Sequence, residues 1–380
     1  MINILTIFGT RPEAIKLAPL VDEFTKREEC NSQLCSTGQH LEMLEGALRI
    51  FDLSINHDLE LMKESQTLSG LTARVLTGID QILTSSTPDL VVVQGDTTTA
   101  FVGALTGFYH QIPVGHVEAG LRSGDKANPF PEEINRRLTD SLSDLYFAPT
   151  KQSKENLLKE GFPEDLISVT GNTVIDALLR ITESIGEGTT QPTYPVDPSP
   201  FEEGEKRLIL VTAHRRESLD GGIKEVCLGL KQLAGKFPDV EIVFPVHLNP
   251  RVQETVYDIL EDQERIHLTE PADYLTFVGL MEKSTLIITD SGGIQEEAPA
   301  LGVPVLVARE KTERPEAIEA GTAKLVGTDS ERIVEETGRL LEDKACYQEM
   351  ANTANPFGQG DASKKIANEI IKYFGGTDQS

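Results

Sequence analysis

The chain is 380 residues long, more than one hydrophobic core usually holds, so two domains are the first expectation. Hydrophobic residues make up 39% and charged residues 25%, a globular composition, while 61 acids against 35 Lys and Arg leave a formal charge of −26. A surplus of that sign repels phosphate backbones and anionic lipid, which argues against nucleic-acid and membrane partners and requires local cation clusters for any anionic ligand.

The opening MINILTIFGTRPEAIK has no basic segment followed by an uninterrupted apolar stretch, and no apolar run is long enough to span a bilayer. A cytoplasmic protein is expected. Cys30, Cys35, Cys227 and Cys346 are sparse, which fits a reduced compartment; the cluster Cys30, Cys35, His40 lacks a second ligand pair at zinc spacing and reads as buried thiols, so no metal is expected.

In chain order, short apolar strands alternate with helical segments, the pattern of parallel sheets covered by helices. NILTIF at 3–8 leads into Gly9-Thr10-Arg11-Pro12-Glu13-Ala14-Ile15-Lys16. Gly9 permits a tight turn, Pro12 suits a first helical turn, and Arg11 and Lys16 lie near a helix N-terminus. QLCST at 33–37 follows. LVVVQ at 90–94 ends in Gly95-Asp96 before Thr97-Thr98-Thr99, and PVGHV at 113–117 ends in Glu118. Glu132 opens a helix after Pro129-Phe130-Pro131, with Asn135 and Arg136 one turn on, and LYFAPT at 145–150 closes the first half. An acid at a helix start is commonly a cap or dipole contact. Three carboxylates aimed at one crevice are more than caps, because their repulsion keeps both an acid and a base available.

GEGTTQPTYPVDPSPFEEGEK at 186–206 reads as a loop just inside the second half. RLILVTA at 207–213 then delivers His214, Arg215, Arg216 and Glu217; VEIVFPV at 240–246 follows. LIITD at 286–290 runs into Ser291-Gly292-Gly293-Ile294-Gln295-Glu296-Glu297, where paired glycines let backbone approach a diphosphate and Glu297 is placed for ribose hydroxyls. After PVLVA at 304–308, Thr312-Glu313-Arg314-Pro315-Glu316 adds a cation. There is no G-x-x-x-x-G-K-[ST], no G-x-G-x-x-G after the first strand, no Tyr-x-x-x-Lys and no H-E-x-x-H. A P-loop enzyme, an NAD-dependent sugar epimerase and a zinc hydrolase are thereby disfavoured, and no cofactor is expected.

The expected fold is α/β, with two doubly wound Rossmann-like domains facing a central cleft. At this point the motifs resemble a known family in the right order from residue 3 to about residue 360. GTRPE at 9–13, GDTTT at 95–99, HVEAGLR at 116–122, PEEINR at 131–136, GNT at 171–173, HRRE at 214–217, SGGIQEE at 291–297 and ERPE at 313–316 are similar to the signatures of non-hydrolysing UDP-N-acetylglucosamine 2-epimerases. The resemblance implies the B-type glycosyltransferase fold. Residues 1–172 would carry the catalytic carboxylates, 173–360 would bind UDP, and a C-terminal helix, 361–380, would return to the first domain. It also implies a homodimer acting on UDP-N-acetylglucosamine, with UDP-N-acetylmannosamine as product for cell-envelope or surface polysaccharide.

Carried over position by position, the resemblance makes Asp96, Glu118 and Glu132 the catalytic carboxylates and sets His214 beside the departing phosphate. Arg11, Lys16, Arg136, Ser291, Gly292, Gly293, Glu297 and Arg314 become ligand contacts, and the backbone near Phe277 would hold uracil. Gln39 and His247 match part of a second, activating substrate site in bacterial enzymes. That site departs from the family pattern at Leu41, Glu42 and Ser65. The chemistry suits such a set of groups. A C2 proton next to no carbonyl has no enolate to stabilise it, so elimination across C1–C2 with UDP as leaving group is the NAD-free route, and inversion needs proton-handling groups on two faces. Which carboxylate serves which face stays open. The rival readings are a glycosyltransferase of the same architecture, a hydrolysing epimerase and a non-catalytic nucleotide-sugar sensor.

Overall fold

A computed structural model describes residues 1–38, 50–61, 66–215 and 221–375. The chain divides into two compact units, Met1–Ala177 together with Phe357–Ser380, and Leu178–Pro356. Each is a parallel sheet with helical crossovers, so both are Rossmann-like, as the alternating apolar pattern predicts.

In the first unit the strands are β1 (Ile2–Phe8), β2 (Cys30–Ser36), β3 (His57–Asp58), β4 (Leu90–Gln94), β5 (Val114–Val117), β6 (Leu145–Ala148) and β7 (Ile167–Val169). They pair in parallel in the order β3-β2-β1-β4-β5-β6-β7. Leu5, Ile7, Val91, Val93 and Val114 point to one face and bury against Val75, Ile79 and Leu83 of the helix Leu68–Ser86 and Ala100, Val102 and Ala104 of the helix Thr98–Tyr109. Alternate residues Ile4 and Phe8 face the other side and are equally buried. The helix Ala362–Gly375 belongs to this unit. Asp176 accepts from the Ala362 N–H at 3.2 Å and the Ser363 N–H at 2.8 Å, and the Asn172 N–H donates to the Phe357 carbonyl at 2.7 Å.

In the second unit β8 (Arg207–Thr212), β9 (Val240–Pro245), β10 (Ile266–Thr269), β11 (Ser284–Thr289), β12 (Val305–Val307) and β13 (Ala323–Leu325) are ordered β10-β9-β8-β11-β12-β13, again in parallel. Ile209, Val211, Ile242, Phe244 and Ile288 pack with Val226, Leu230 and Leu233 of the helix Gly222–Lys236. The segment 186–206 is largely loop, with one helical turn, Ser199–Glu202. It straps the helix Tyr274–Lys283, because the Thr193 N–H donates to Thr276 Oγ1 at 3.3 Å.

Each sheet reverses its winding once, between β1 and β4 in the first and between β8 and β11 in the second. The crevice beyond the strand ends at such a reversal is where ligands of these sheets bind. The turns after β1, β4, β8 and β11 carry Arg11, Asp96, His214 and Ser291 respectively. No described helix is long and apolar enough to cross a membrane.

Candidate active site

At the first switch point the backbone is set by Glu13. The helix Arg11–Thr25 begins with a capping box: Thr10 Oγ1 accepts from the Glu13 N–H, and the Glu13 carboxylate accepts from the Gly9 and Thr10 N–H groups at 3.1 and 2.7 Å. Thr97 Oγ1 donates to the same carboxylate at 2.6 Å, joining the turns after β1 and β4. Burial pushes the Glu13 carboxyl above its ordinary value, against these hydrogen bonds.

Glu118 is only 7% exposed and lies at φ +71, a left-handed conformation that costs a side-chain residue about 1 kcal/mol or more. Its carboxylate is held from three sides. Lys16 Nζ donates to both oxygens at 2.8 Å, Asn172 Nδ2 donates to Oε1 at 3.1 Å, and Gln94 Nε2 donates to Oε2. Gly120, two residues on, has φ +82, and a Cβ there would lie 2.3 Å from the Ser153 carbonyl; only glycine fits.

Asp96 is bound by Arg136, whose Nε donates to Oδ2 at 3.1 Å alongside NH2, and the Asp96 carbonyl accepts from Asn135 Nδ2 at 2.9 Å. Arg136 and Asn135 lie on the helix Glu132–Leu142, one turn from Glu132. A Cβ built on Gly95 would sit 3.6 Å from Glu118 Oε2, so the Asp96 turn and Glu118 are neighbours. Glu132 opens its helix, as predicted, and is half-buried; among the described residues no hydrogen bond or ion pair reaches its carboxylate. Arg11, at the start of its own helix, is likewise half-buried with no described partner.

At the second switch point the organising group is Asp290, 1% exposed at the end of β11. Its Oδ2 accepts from the His214 and Arg215 N–H groups at 2.7 and 2.8 Å, and Oδ1 lies 3.3 Å from His214 Nδ1. His247 stacks on His214 with ring centroids 5.2 Å apart. Burial, with help from His247 and Arg215, holds the His214 pKa below the ordinary histidine value against the pull of Asp290. Ser291 is the N-cap of the helix Gly292–Glu297. A Cβ built on Gly292 would lie 3.9–4.0 Å from the Arg215 and Arg314 guanidinium groups, and Gly293 lies against Glu297. Glu297 accepts from the Tyr274 hydroxyl at 2.8 Å, and Arg314 Nε donates to Glu296. The Phe277 N–H is taken by the Asp273 carbonyl at 2.9 Å inside the helix Tyr274–Lys283.

Sequence reasoning thus located the turns but missed groups that hold them: Glu13 as a clamp, Gln94, Asp290 and Tyr274. Asp290 carried a signal, an acid at a strand end before Ser-Gly-Gly. Tyr274 carried none. Gln39, Leu41, Glu42, Ser65, Arg216 and Glu217 lie outside the described residues. Among the described residues no His, Cys, Asp and Glu cluster suits a metal ion, and Cys30, Cys35 and Cys227 are buried thiols.

Two Rossmann-like units with ionisable side chains gathered at each switch point define an enzyme of the B-type glycosyltransferase fold class. The family model described as UDP-N-acetylglucosamine 2-epimerase matches residues 22–371. The UDP-N-acetylglucosamine 2-epimerase of Salmonella typhimurium is 50% identical over 371 residues, covering 98% of this chain and 99% of that protein. The crystal structure of UDP-GlcNAc 2-epimerase from Neisseria meningitidis bound to UDP-GlcNAc is 48% identical with a TM-score of 0.88, over 97% of this chain and 100% of that one. The Methanocaldococcus jannaschii enzyme, solved in complex with UDP-GlcNAc and UDP, is 35% identical with a TM-score of 0.78, over 98% and 99%. The chain belongs to the UDP-N-acetylglucosamine 2-epimerase family and is an isomerase of nucleotide sugars.

Proposed function

We propose that the protein interconverts UDP-N-acetylglucosamine and UDP-N-acetylmannosamine without a cofactor, by anti elimination of UDP and re-addition through a bound 2-acetamidoglucal. In the forward step a carboxylate takes the C2 proton, the C2–H electrons form the C1–C2 double bond, and the C1–O bond breaks with its pair leaving on UDP. Re-addition returns UDP to C1 and a proton to C2 from the other face. The observation that carries this reading is the first switch point, where Asp96 and Glu118 lie on neighbouring turns and Glu132 one helical turn from the arginine that binds Asp96.

The division of labour follows from the partners. Asp96, Glu118 and Glu132 serve C2, with Lys16 and Arg136 holding the first two in place and Arg11 available to the ligand. His214, Ser291, Gly292, Gly293 and Arg314 hold the leaving diphosphate, Glu297 the ribose, and the segment around Phe277 the base. Similar proteins bound to UDP-GlcNAc and UDP support these ligands. Gln39 and His247 would belong to an activating substrate site, with His247 coupled to the reaction through its stack on His214. Exposed Phe108, Tyr109, Ile134 and Leu138, on the helices Thr98–Tyr109 and Glu132–Leu142, supply an apolar face for a homodimer. The product would feed cell-envelope or surface polysaccharide from the cytoplasm.

The test is incubation with UDP-N-acetylglucosamine alone in heavy water, followed by proton NMR. Solvent deuterium at C2 of UDP-N-acetylmannosamine, with traces of UDP and glycal in equal amounts, is expected. Product with its original C2 hydrogen would mean a hydride shuttle. Free N-acetylmannosamine would mean hydrolysis, and no product a sensor.

A further inference from the structure

One buried cluster near the carboxylates touches no part of the proposed ligand set. His116, on β5, has its side chain fully buried, and its two ring nitrogens each face an oxygen: Nδ1 lies 2.6 Å from Asp140 Oδ1, and Nε2 lies 2.8 Å from the Gly95 carbonyl. Gly95 has φ +72 and is the residue before Asp96. Asp140, also fully buried, lies on the helix Glu132–Leu142 at the i+4 and i+8 spacing that puts it on one stripe with Arg136 and Glu132. Its other oxygen meets Arg122 NH2 at 2.7 Å and accepts from the Gly120 N–H at 3.3 Å, and Arg122 in turn reaches Glu160 at 2.7 Å.

We propose that His116 is a positioning residue whose Nε2–H fixes the Gly95 carbonyl and thereby aims the Asp96 carboxylate, with Asp140 and Arg122 as the anchor of the ring.

The chemistry leaves little choice. A backbone carbonyl only accepts, so the Nε2 contact needs a hydrogen on Nε2. Burial works against a charge on Asp140, but His116 and Arg122 outweigh it and hold this carboxyl below the ordinary range. Asp140 Oδ1 holds the other side of the ring, 2.6 Å from Nδ1. Arg122 ties the other oxygen of Asp140 to Glu160 towards the surface, so the seat of the ring is itself fixed. The cluster therefore joins three segments: the turn after β4 through Gly95, the turn after β5 through Gly120, and the helix that opens with Glu132. All three carry a carboxylate of the proposed set. A turn displaced by about 1 Å is enough to cost roughly 10²-fold in rate, while leaving ligand contacts elsewhere intact.

The inference rests on Asp96 being catalytic, so Asp96→Asn is measured beside it. Two substitutions split the function of the ring. The Asn amide reaches the place of Nδ1 and keeps the link to Asp140; the Gln amide reaches the place of Nε2 and keeps the link to Gly95. His116→Asn should lower kcat about 10²-fold with KM changed less than about threefold, and His116→Gln should recover most of that loss. Equal kcat for the two variants overturns the proposal, as does a loss confined to KM. If Asp96→Asn is fully active, the catalytic reading of Asp96 fails instead. Long-range nitrogen–proton NMR of the unaltered enzyme gives a second readout that needs no variant to fold. It should show the ring hydrogen on His116 Nε2, facing the Gly95 carbonyl, and an Nε2 without a hydrogen would overturn the proposal.

Discussion

The two switch points handle charge in opposite ways. In the first unit the reactive candidates are acids, and two of the three are locked: Asp96 is bound by Arg136, and Glu118 is 7% exposed, in a strained backbone conformation, and receives donors from Lys16, Gln94 and Asn172. In the second unit the key groups are basic and more loosely held. The His214 and Arg215 side chains are 36% and 35% exposed, and Arg215 stands 3.9 Å from its partner Glu313. A group that must meet a C–H bond at one angle gains from being fixed before substrate arrives. A cation that must exchange a carboxylate for a phosphate gains from a weak, screened first partner. The exception, Arg314, is half-buried and donates to the buried Glu296, a closer tie than the one Arg215 makes.

The largest effects should come from the locked side. Asp96→Asn or Glu118→Gln keeps shape and most donors while removing the base, so kcat should fall roughly 10²–10⁴-fold. Following C2 hydrogen exchange together with epimerisation sharpens the result: a variant that exchanges but does not epimerise has lost the acid on the far face. Wild-type rates in both variants would break the comparison outright. Next comes the diphosphate seat. A Cβ on Gly292 would meet the Arg215 and Arg314 guanidinium groups at ordinary contact distance, so the fold should tolerate Gly292→Val, while the new methyls occupy the place proposed for phosphate. UDP affinity by calorimetry should weaken by more than about tenfold, or 1.4 kcal/mol, with thermal midpoint nearly unchanged. Smaller still is Tyr274→Phe, which removes the hydroxyl that orients Glu297. A net hydrogen bond of about 1 kcal/mol corresponds to roughly fivefold weaker UDP binding, and no change in binding would free Glu297 from its ribose role.

How much of this could be read in advance follows the same physics. The strands expected at 3–8, 33–37, 90–94, 113–117, 145–150, 207–213, 240–246, 286–290 and 304–308 correspond to β1, β2, β4, β5, β6, β8, β9, β11 and β12, with no end shifted by more than three residues. The four that went unread, β3, β7, β10 and β13, are the four sheet edges. An interior strand of a parallel sheet is buried on both faces and shows as an unbroken apolar run, whereas an edge strand such as His57–Asp58 or Ile266–Thr269 is short and half-exposed and leaves no such run. The site divides likewise. Asp96, Glu118, His214 and Ser291 were legible because they directly follow interior strands. Lys16 was legible as a cation, but not as the partner of Glu118, since nothing local ties residues 102 apart. Asn172 and Asp140 act through contacts that only the folded topology creates.

The smallest predicted effect tests the loose side of the comparison. His214 sits among groups that pull its proton affinity in opposite directions: burial lowers it most, Asp290 raises it, and His247 and Arg215 lower it further. A lowered pKa means the neutral ring persists to lower pH than the ordinary value of about 6.5, so in the role proposed for it the ring would meet the leaving phosphate as a hydrogen-bonding group rather than as a fixed cation. The sign for stability follows. The unfolded chain binds this proton more readily than the folded one, so the histidine costs nothing above its unfolded pKa and destabilises the fold as pH drops below it. His247→Gln removes one of the lowering charges and leaves the backbone cap by Asp290 in place. In a proton NMR titration the His214 Cε1–H midpoint should therefore move up towards the ordinary value, and the fall in stability on acidification should shrink with it. A midpoint that stays put would show that His247 stacks on His214 without acting on its charge, and would leave burial and Arg215 to explain the neutral ring.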